Sequence, residues 1–463
     1  MGCMTTSTAV LHRLRAELGS RLSTDPAELQ GARADRSGYT APGMPLAIVR
    51  AESIADVQAV MRIATEWRVP VVPQGAATGL AGGGAGSDGA IVLSTASMNR
   101  ILEVALADEL AEVEPGVINQ ALSDAVAQYG LVFSPDPASK AISTIGGNIA
   151  TNAGGLLCAK YGVTREAVLG LTVVLPDGRM LETGHRSIKG VTGYDLTALF
   201  TGSEGTLGVI VGATVRLRPI AAGTVVTIGA FFDTIVAAAA ASAAVTAARL
   251  RPAVMELIDH EALKAIDAFN GTTLSASGGA YLLVQTDGGA SVDEADRILA
   301  IVTGAGGTAE LTIDPEVGER LLAVRRSVHP SLAARGEVLI EDVCVPRSQL
   351  AAMFGEIERI GAKWGLSIPT VAHAGDGNLH PNFVITPELA LASGEVPDVV
   401  WQAAGELFRA ALDLGGTLTG EHGIGVLKKR WLRDEVGTDS FDLQRQIKAV
   451  FDPLGIMNPG TMF

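Results

Sequence analysis

The sequence predicts an α+β fold made of two domains of different texture, flanked by helical segments. Three observations carry this. Between Pro42 and about Ile220, short apolar strand-like runs alternate with three long loops rich in glycine, serine and threonine. From about Thr224, strand-like runs alternate with helix-length segments, the pattern of helices covering one face of an antiparallel sheet. After about Asp398 the chain reads as helix, interrupted by a glycine-rich loop at Gly415–Gly425. The expected division is an N-terminal helical segment over 1–41, a loop-rich domain over 42–221, an α+β domain over 222–397 and a C-terminal helical segment over 398–463.

The elements follow in order. A strand, Leu46 to Arg50, starts after Pro45, and Ser53 reads as a helix N-cap because its hydroxyl can accept from the first free backbone N–H groups. Ile54, Val57, Val60, Met61 and Ala64 then mark one helix face. Pro70 to Pro73 is a short buried strand running into a loop, Gly75 to Gly89, and Ile91 to Ser94 is the next strand. A hairpin-like pair (Ile101–Ala105 and Ala111–Glu114) precedes a helix of about Ile118 to Tyr129. In the second domain, strands are expected around Val225–Phe231, Tyr281–Thr286 and Asp342–Val345, and helices near Thr234–Leu250, Val292–Thr303, Pro315–Val328 and Ser348–Trp364. The stretch Ile235–Leu250 is mostly alanine and bracketed by Asp233 and Arg249. It is shorter than the roughly 20 strongly apolar residues a membrane-spanning helix needs, so it reads as a helix packed closely on a sheet.

Composition narrows the function. With 463 residues, 48% hydrophobic and 18% charged, the chain is globular rather than disordered. A net charge of -15 opposes binding to nucleic acid. The one short basic run, Lys428, Lys429 and Arg430, reads as a solvated helix face. Cys3, Cys158 and Cys344 are too few and too scattered for a disulfide framework or a zinc knuckle, which fits a reducing cytosol. No basic stretch followed by an apolar core stands at the N-terminus, so no signal peptide is expected. The expected location is cytoplasmic, with peripheral membrane association left open.

The first loop, VPQGAATGLAGGGAGSDG from Val72, has the small residues that let backbone N–H groups close on a pyrophosphate. Gly84, Gly86 and Gly89 satisfy G-x-G-x-x-G, but the following AIVLST is a strand pattern. A nicotinamide-dinucleotide fingerprint must open a helix, so that reading is rejected. The second loop is SPDPASKAISTIGGNIATNAGG from Ser134 and the third is FTGSEGTLGVI from Phe200. Three such loops in one domain favour a large extended cofactor.

In order and wording, these loops resemble the FAD-binding domain of the vanillyl-alcohol oxidase / p-cresol methylhydroxylase superfamily, over roughly Pro42 to Ile220. The resemblance implies a two-subdomain FAD-binding domain followed by a substrate, or cap, domain. It places the pyrophosphate against Pro73, Gln74, Gly75, Ala76, Thr78, Gly79 and Leu80. It places flavin and ribityl chain along Pro135, Asp136, Ser139, Thr144, Gly146, Gly147, Asn148, Thr151 and Asn152, and the nucleotide end at Glu204, Gly205 and Ile210. Some members tether FAD through a His in the first loop; here Ala76 and Ala77 stand there, which implies non-covalent FAD.

Two of the seven histidines, His373 and His380, fall in HAGDGNLHPNF after a strand-like run, and His422 falls in GEHGIG. On a straight strand His373 and His380 would point to opposite faces. Gly375 and Gly377 let the chain turn and bring the imidazoles together. A carboxylate such as Glu421 would complete a His/His/Glu set with an open position, the catalytic type of metal site. Asp376 is the runner-up ligand, more readily explained by an Asx-type turn.

These motifs, with the terminal FDPLGIMNPG, resemble the group formed by D-lactate dehydrogenases, D-2-hydroxyglutarate dehydrogenases and the corresponding glycolate oxidase component. That implies a divalent metal, often zinc, on His373, His380 and Glu421, and His422 as general base. It implies Arg325 as the grip on the substrate carboxylate, with Arg326 as alternative because Leu322 stands where the group often has Trp. Asn382 falls at the substrate pocket and Asn458 near the flavin. The implied enzyme is an FAD-dependent dehydrogenase of a small D-2-hydroxy acid such as D-lactate or glycolate. It would pass electrons to a cytochrome, a quinone or an electron-transfer flavoprotein, with a homodimer left open. Alternatives are a D-2-hydroxyglutarate dehydrogenase, a metal-independent flavin oxidase and a non-catalytic flavin-binding component of a glycolate-oxidase-like complex. In the group, 2-hydroxyglutarate enzymes carry a Lys where this chain has Ile340, so a monocarboxylate is expected.

Overall fold

Ser53 caps the helix Ile54–Trp67, its hydroxyl accepting from the Asp56 N–H at 3.3 Å. Val57, Val60, Met61 and Ala64 of that helix are buried against the strands it connects, Ala47–Arg50 and Val71–Gln74. The structure, a computed structural model, describes residues 6–392 and 395–463; Cys3 lies outside them. The chain forms two compact units. One comprises residues up to Gly154 with Gly162–Ile220 and Glu421–Phe463; the other comprises Gly155–Tyr161 and Ala221–Gly420.

Beside a short antiparallel pairing of Leu131–Val132 with Arg218–Pro219, the first unit holds two larger sheets. In the smaller, Ala47–Arg50 and Val71–Gln74 both pair in parallel with Ile91–Ser94, and the short strand Leu22–Ser23 adds antiparallel at one edge. The strand Val71–Gln74 also takes a parallel bridge from Met457. The larger sheet is antiparallel, in the order Ile101–Ala105, Leu110–Val113, Val209–Arg216, Val168–Val174, Met180–Gly184. The hairpin read from the sequence forms its first two strands. The glycines of the first loop lead into the strand Ile91–Ser94, as the rejection of a nicotinamide fingerprint requires.

The second unit is built on one antiparallel sheet of eight strands. Its order is Thr308–Thr312, Val226–Phe232, Ala280–Thr286, Val254–Asp259, Thr370–His373, Asn378–Ile385, Glu337–Ile340, and Val343–Cys344 also pairs with Asn378–Ile385. Helices cover both faces, not one as the sequence pattern suggests. Ile258, Tyr281 and Leu283 pack under the helices His260–Asn270 and Val328–Ala333. Their strand neighbours Leu257 and Leu282 point the opposite way and are equally buried. The alanine-rich helix Ile235–Ala247 lies against that second face, with Ala238, Ala239, Ala241, Ser242 and Val245 buried. Its small side chains permit the close approach. Among the described residues, no helix is long and apolar enough to cross a membrane.

Candidate active site

In the first unit the three loops and two C-terminal segments form one network. Gln74 closes the first loop on itself, its amide nitrogen donating to the Gly84 carbonyl at 2.9 Å. Gly75 has no room for a side chain, because a Cβ would strike the Thr144 hydroxyl. Thr144 in turn caps the helix Ile145–Thr151 by accepting from the Gly147 N–H at 3.2 Å. Gly146 is pressed against Pro115, where a Cβ would lie 2.6 Å from the proline Cβ. Thr151 donates to the Gly147 carbonyl at 3.2 Å, and Pro135 accepts from Asn119 at 3.0 Å. Left-handed backbone at a non-glycine residue costs energy and marks places held by their surroundings. Ala77 (φ 52°), Asn152 (φ 53°), Glu204 (φ 51°) and Asn458 (φ 43°) all adopt it, one in each loop and one near the C-terminus.

Asn458 ties two of these loops together, donating to the carbonyls of Gly83 at 2.9 Å and Glu204 at 2.8 Å. The Glu204 carboxylate does something the sequence does not suggest: it accepts from the backbone N–H groups of Ile424 and Gly425, both at 2.8 Å. Burial pushes this carboxyl up to about 7, against those two donors and nearby Lys428. The side chain is thus committed to the chain's own backbone, and only the main chain of residue 204 remains for a nucleotide. Lys428 itself is 2% exposed, which corrects the reading of residues 428–430 as a solvated face; Lys429 and Arg430 alone are exposed. Ile210 lies in the core of the larger sheet. Glu421 and His422 are half-buried and belong to this unit, directly after Gly420, the last residue of the other.

In the second unit, the HAGDGNLH segment is a hairpin. Thr370–His373 pairs with Asn378–Ile385 around a turn with Gly377 at φ 96°. His373 stands opposite Asn378 and Val371 opposite His380. Directly paired residues share a face and so do residues two apart, so the turn places both histidines on one side. Their ring centroids are 5.0 Å apart, and a ring nitrogen of each lies within 4.8 Å of one of the other. Asp376 sits in the turn and accepts from the Asn378 N–H at 3.2 Å, the Asx-type role its spacing suggests.

A fully buried carboxylate stands behind each imidazole. Glu256, directly opposite His373 in the neighbouring strand, accepts from His373 Nδ1 at 2.7 Å. Its other oxygen accepts from Arg325 Nε at 2.7 Å. Burial alone would raise the Glu256 carboxyl, but His373 and Arg325 outweigh it and hold it below the ordinary range. Asp342 has an oxygen 3.9 Å from His380 Nδ1 and is held by Asn378 at 2.6 Å and by the Thr419 hydroxyl. Asn382 spends both amide hydrogens on the carbonyls of Pro369 at 3.0 Å and His380 at 2.7 Å, leaving its oxygen as the group a ligand can meet.

The two arginines left open by the sequence are now separated. Arg325 is 18% exposed and joined to buried Glu256, whereas Arg326 is 55% exposed and pairs with surface Glu319. Glu256, Asp342 and Asn378 cluster around His373 and His380 in a way that reading the sequence does not reveal. The available signal is a charge inside the apolar strand VMELI, which is costly unless paired.

The comparisons with known proteins agree with both halves. Residues 45–184 match the family described as "FAD binding domain", and residues 223–462 match "FAD linked oxidases, C-terminal domain". The chain is a flavoprotein oxidoreductase, and it belongs to the FAD-linked oxidase family. It is 41% identical over 424 residues to glycolate oxidase subunit GlcD of Bacillus subtilis, covering 91% of this chain and 89% of the relative. It is 36% identical over 419 residues to D-lactate dehydrogenase of Archaeoglobus fulgidus, covering 90% of each. A solved p-cresol methylhydroxylase superposes with TM-score 0.80 at 16% identity, covering 100% of this chain and 98% of that one, so the fold is of that type.

The residues present fit FAD. Asn148 is 4% exposed and its amide nitrogen has no protein partner among the described residues; the same holds for the hydroxyl of Ser143, at 2%. Two buried polar groups left over beside the second loop are what a polar cofactor satisfies.

Proposed function

We propose that this chain oxidises a small D-2-hydroxy acid of the D-lactate or glycolate type to the 2-oxo acid. The observation that carries this is the hairpin placing His373 and His380 on one face, with Arg325 joined to the carboxylate behind His373. The names of the Bacillus and Archaeoglobus relatives support the substrate class.

FAD, bound without a covalent link since Ala76 and Ala77 occupy the tether position, would supply the hydride acceptor. Thr78, Gly79 and Leu80 would hold its pyrophosphate, Asp136, Ser139 and Asn148 its flavin side, and Gly205 its nucleotide end, as the family resemblance implies. By the family resemblance, His373 and His380 with Glu421 would hold a divalent metal, zinc being one that imidazoles suit, and when bound it would supply Lewis-acid polarisation of the 2-hydroxyl. Arg325, held through Nε, offers its two terminal nitrogens as a fork for the substrate carboxylate. Asn382 orients the substrate through its amide oxygen, and His422 takes the hydroxyl proton as general base. The order of events is orientation by Arg325 and Asn382, then proton removal at the hydroxyl as hydride leaves C2. Electrons leave to a cytochrome, a quinone or an electron-transfer flavoprotein.

The test is anaerobic mixing of the FAD-loaded protein with both enantiomers of a panel of 2-hydroxy acids. Bleaching of the visible flavin band by a D-2-hydroxy monocarboxylate or glycolate supports the reading. Reduction by none of them rejects it in favour of a flavin-binding component of a larger complex.

A further inference from the structure

Glu256 has no exposed surface, and its two oxygens serve two different elements. One oxygen meets the ring nitrogen of His373 on a neighbouring strand; the other meets Arg325 on the helix Pro315–Arg326. A purely structural ion pair needs only the arginine. The contact to His373 has a chemical consequence. A proton held on Nδ1 by a carboxylate makes Nε2 the lone-pair nitrogen and fixes the ring's rotation. The contact to Arg325 likewise fixes the guanidinium by its inner nitrogen and leaves the outer edge free to recognise a carboxylate. Asp342 cannot do the same for His380, because 3.9 Å is beyond hydrogen-bond reach.

We propose that Glu256 is a positioning residue that links two ligand sites, orienting His373 toward the metal and Arg325 toward the substrate carboxylate through one buried side chain. The inference rests on the metal and substrate roles proposed above. Because one carboxylate sets both, losing it should weaken metal binding and substrate binding together.

Glu256→Gln isolates the idea. A glutamine offers one acceptor oxygen, but His373 and Arg325 each present an N–H, so at most one of them stays held. The experiment uses the FAD-loaded protein stripped with a chelator and titrated with zinc by calorimetry, beside KM and kcat at saturating zinc. Glu256→Gln is expected to bind zinc about 10–100-fold more weakly, the usual cost of losing a carboxylate behind a metal-bound histidine. It is also expected to keep a raised KM when zinc saturates. Arg325→Met is expected to raise KM while binding zinc within about threefold of wild type. Glu256→Asp keeps the charge should the glutamine variant fail to fold; one methylene shorter, it cannot span both partners, and a wild-type zinc affinity and KM in it overturn the proposal.

Zinc affinity unchanged in Glu256→Gln, or a KM that returns to wild type once zinc saturates, overturns the link alone. So does zinc loss in Arg325→Met equal to that in Glu256→Gln. Wild-type protein that takes up no zinc overturns the metal reading itself, which is a separate failure visible before any variant is made.

Discussion

Ile340 stands directly opposite Asn382 on the paired strands Glu337–Ile340 and Asn378–Ile385. Cross-strand partners share a face, so the side chain beside Asn382 is apolar. A second substrate carboxylate brought there would lose its hydration without gaining a charged partner, a cost of several kcal/mol. The wild type is therefore expected to prefer D-lactate over D-2-hydroxyglutarate in kcat/KM. Ile340→Lys should move that ratio at least about tenfold toward the dicarboxylate, the scale of one charge-assisted contact. A wild-type preference for D-2-hydroxyglutarate would overturn the monocarboxylate assignment.

His422 and His380 are assigned different work, and substitution should separate them. His422→Ala is expected to keep FAD and metal and to lose about 10²–10⁴-fold in turnover, the range for a general base. His380→Ala should lose metal as well as activity. Elemental analysis beside flavin-reduction rates checks both. Normal turnover in His422→Ala removes the base assignment, and full wild-type activity after chelation favours a metal-independent oxidase.

Non-covalent FAD is checked more simply. Acid or heat precipitation should release the yellow colour to the supernatant; colour retained in the pellet contradicts the reading from Ala76 and Ala77. Asn458→Ala, which cuts the ties from Asn458 to Gly83 and Glu204, should weaken FAD retention about 30-fold, two lost hydrogen bonds being worth about 1 kcal/mol each. A fluorescence titration of apoprotein with FAD reads this directly.

Legibility in the sequence divides by distance along the chain. The Ser53 cap, the hairpin at Ile101–Val113 and the Asx role of Asp376 all depend on neighbours a few residues away, and all are readable. The strand Val254–Asp259 and the helix His260–Asn270 are not anticipated. Nor is Glu256, whose partners lie 117 and 69 residues off. No spacing rule reaches that far, because strand order in an antiparallel sheet is set by packing of the whole domain. The burial of Lys428 escapes the sequence for the same reason: Glu204, which lies near it, comes from a distant loop.

Two buried carboxyls give stability a definite pH slope. Burial raises Asp259 to about 7, overriding the backbone N–H groups of Ala262 and Thr370, and raises Glu204 to a similar value. Both hold protons in the folded state that the unfolded chain has already released above its ordinary carboxyl range. Their stabilisation is complete below about pH 4 and is lost as pH rises through about 7. The melting temperature of the protein should therefore fall between about pH 5 and about pH 7.5. Asp259→Asn, whatever its absolute stability, should show a shallower fall over that window. An equal slope in the two proteins would remove Asp259 as a cause.

The chain passes between its two units four times, at Gly154, Tyr161, Ile220 and Gly420. During synthesis, the strand Val71–Gln74 emerges nearly four hundred residues before Met457, which completes its edge. Until then the first unit carries an open strand edge, a template for pairing with other chains. The second unit's main stretch, Ala221–Gly420, emerges whole in the interval and can mature first. A chain ending after residue 420 would carry every residue of the second unit and leave the first without the strand partner that Met457 supplies.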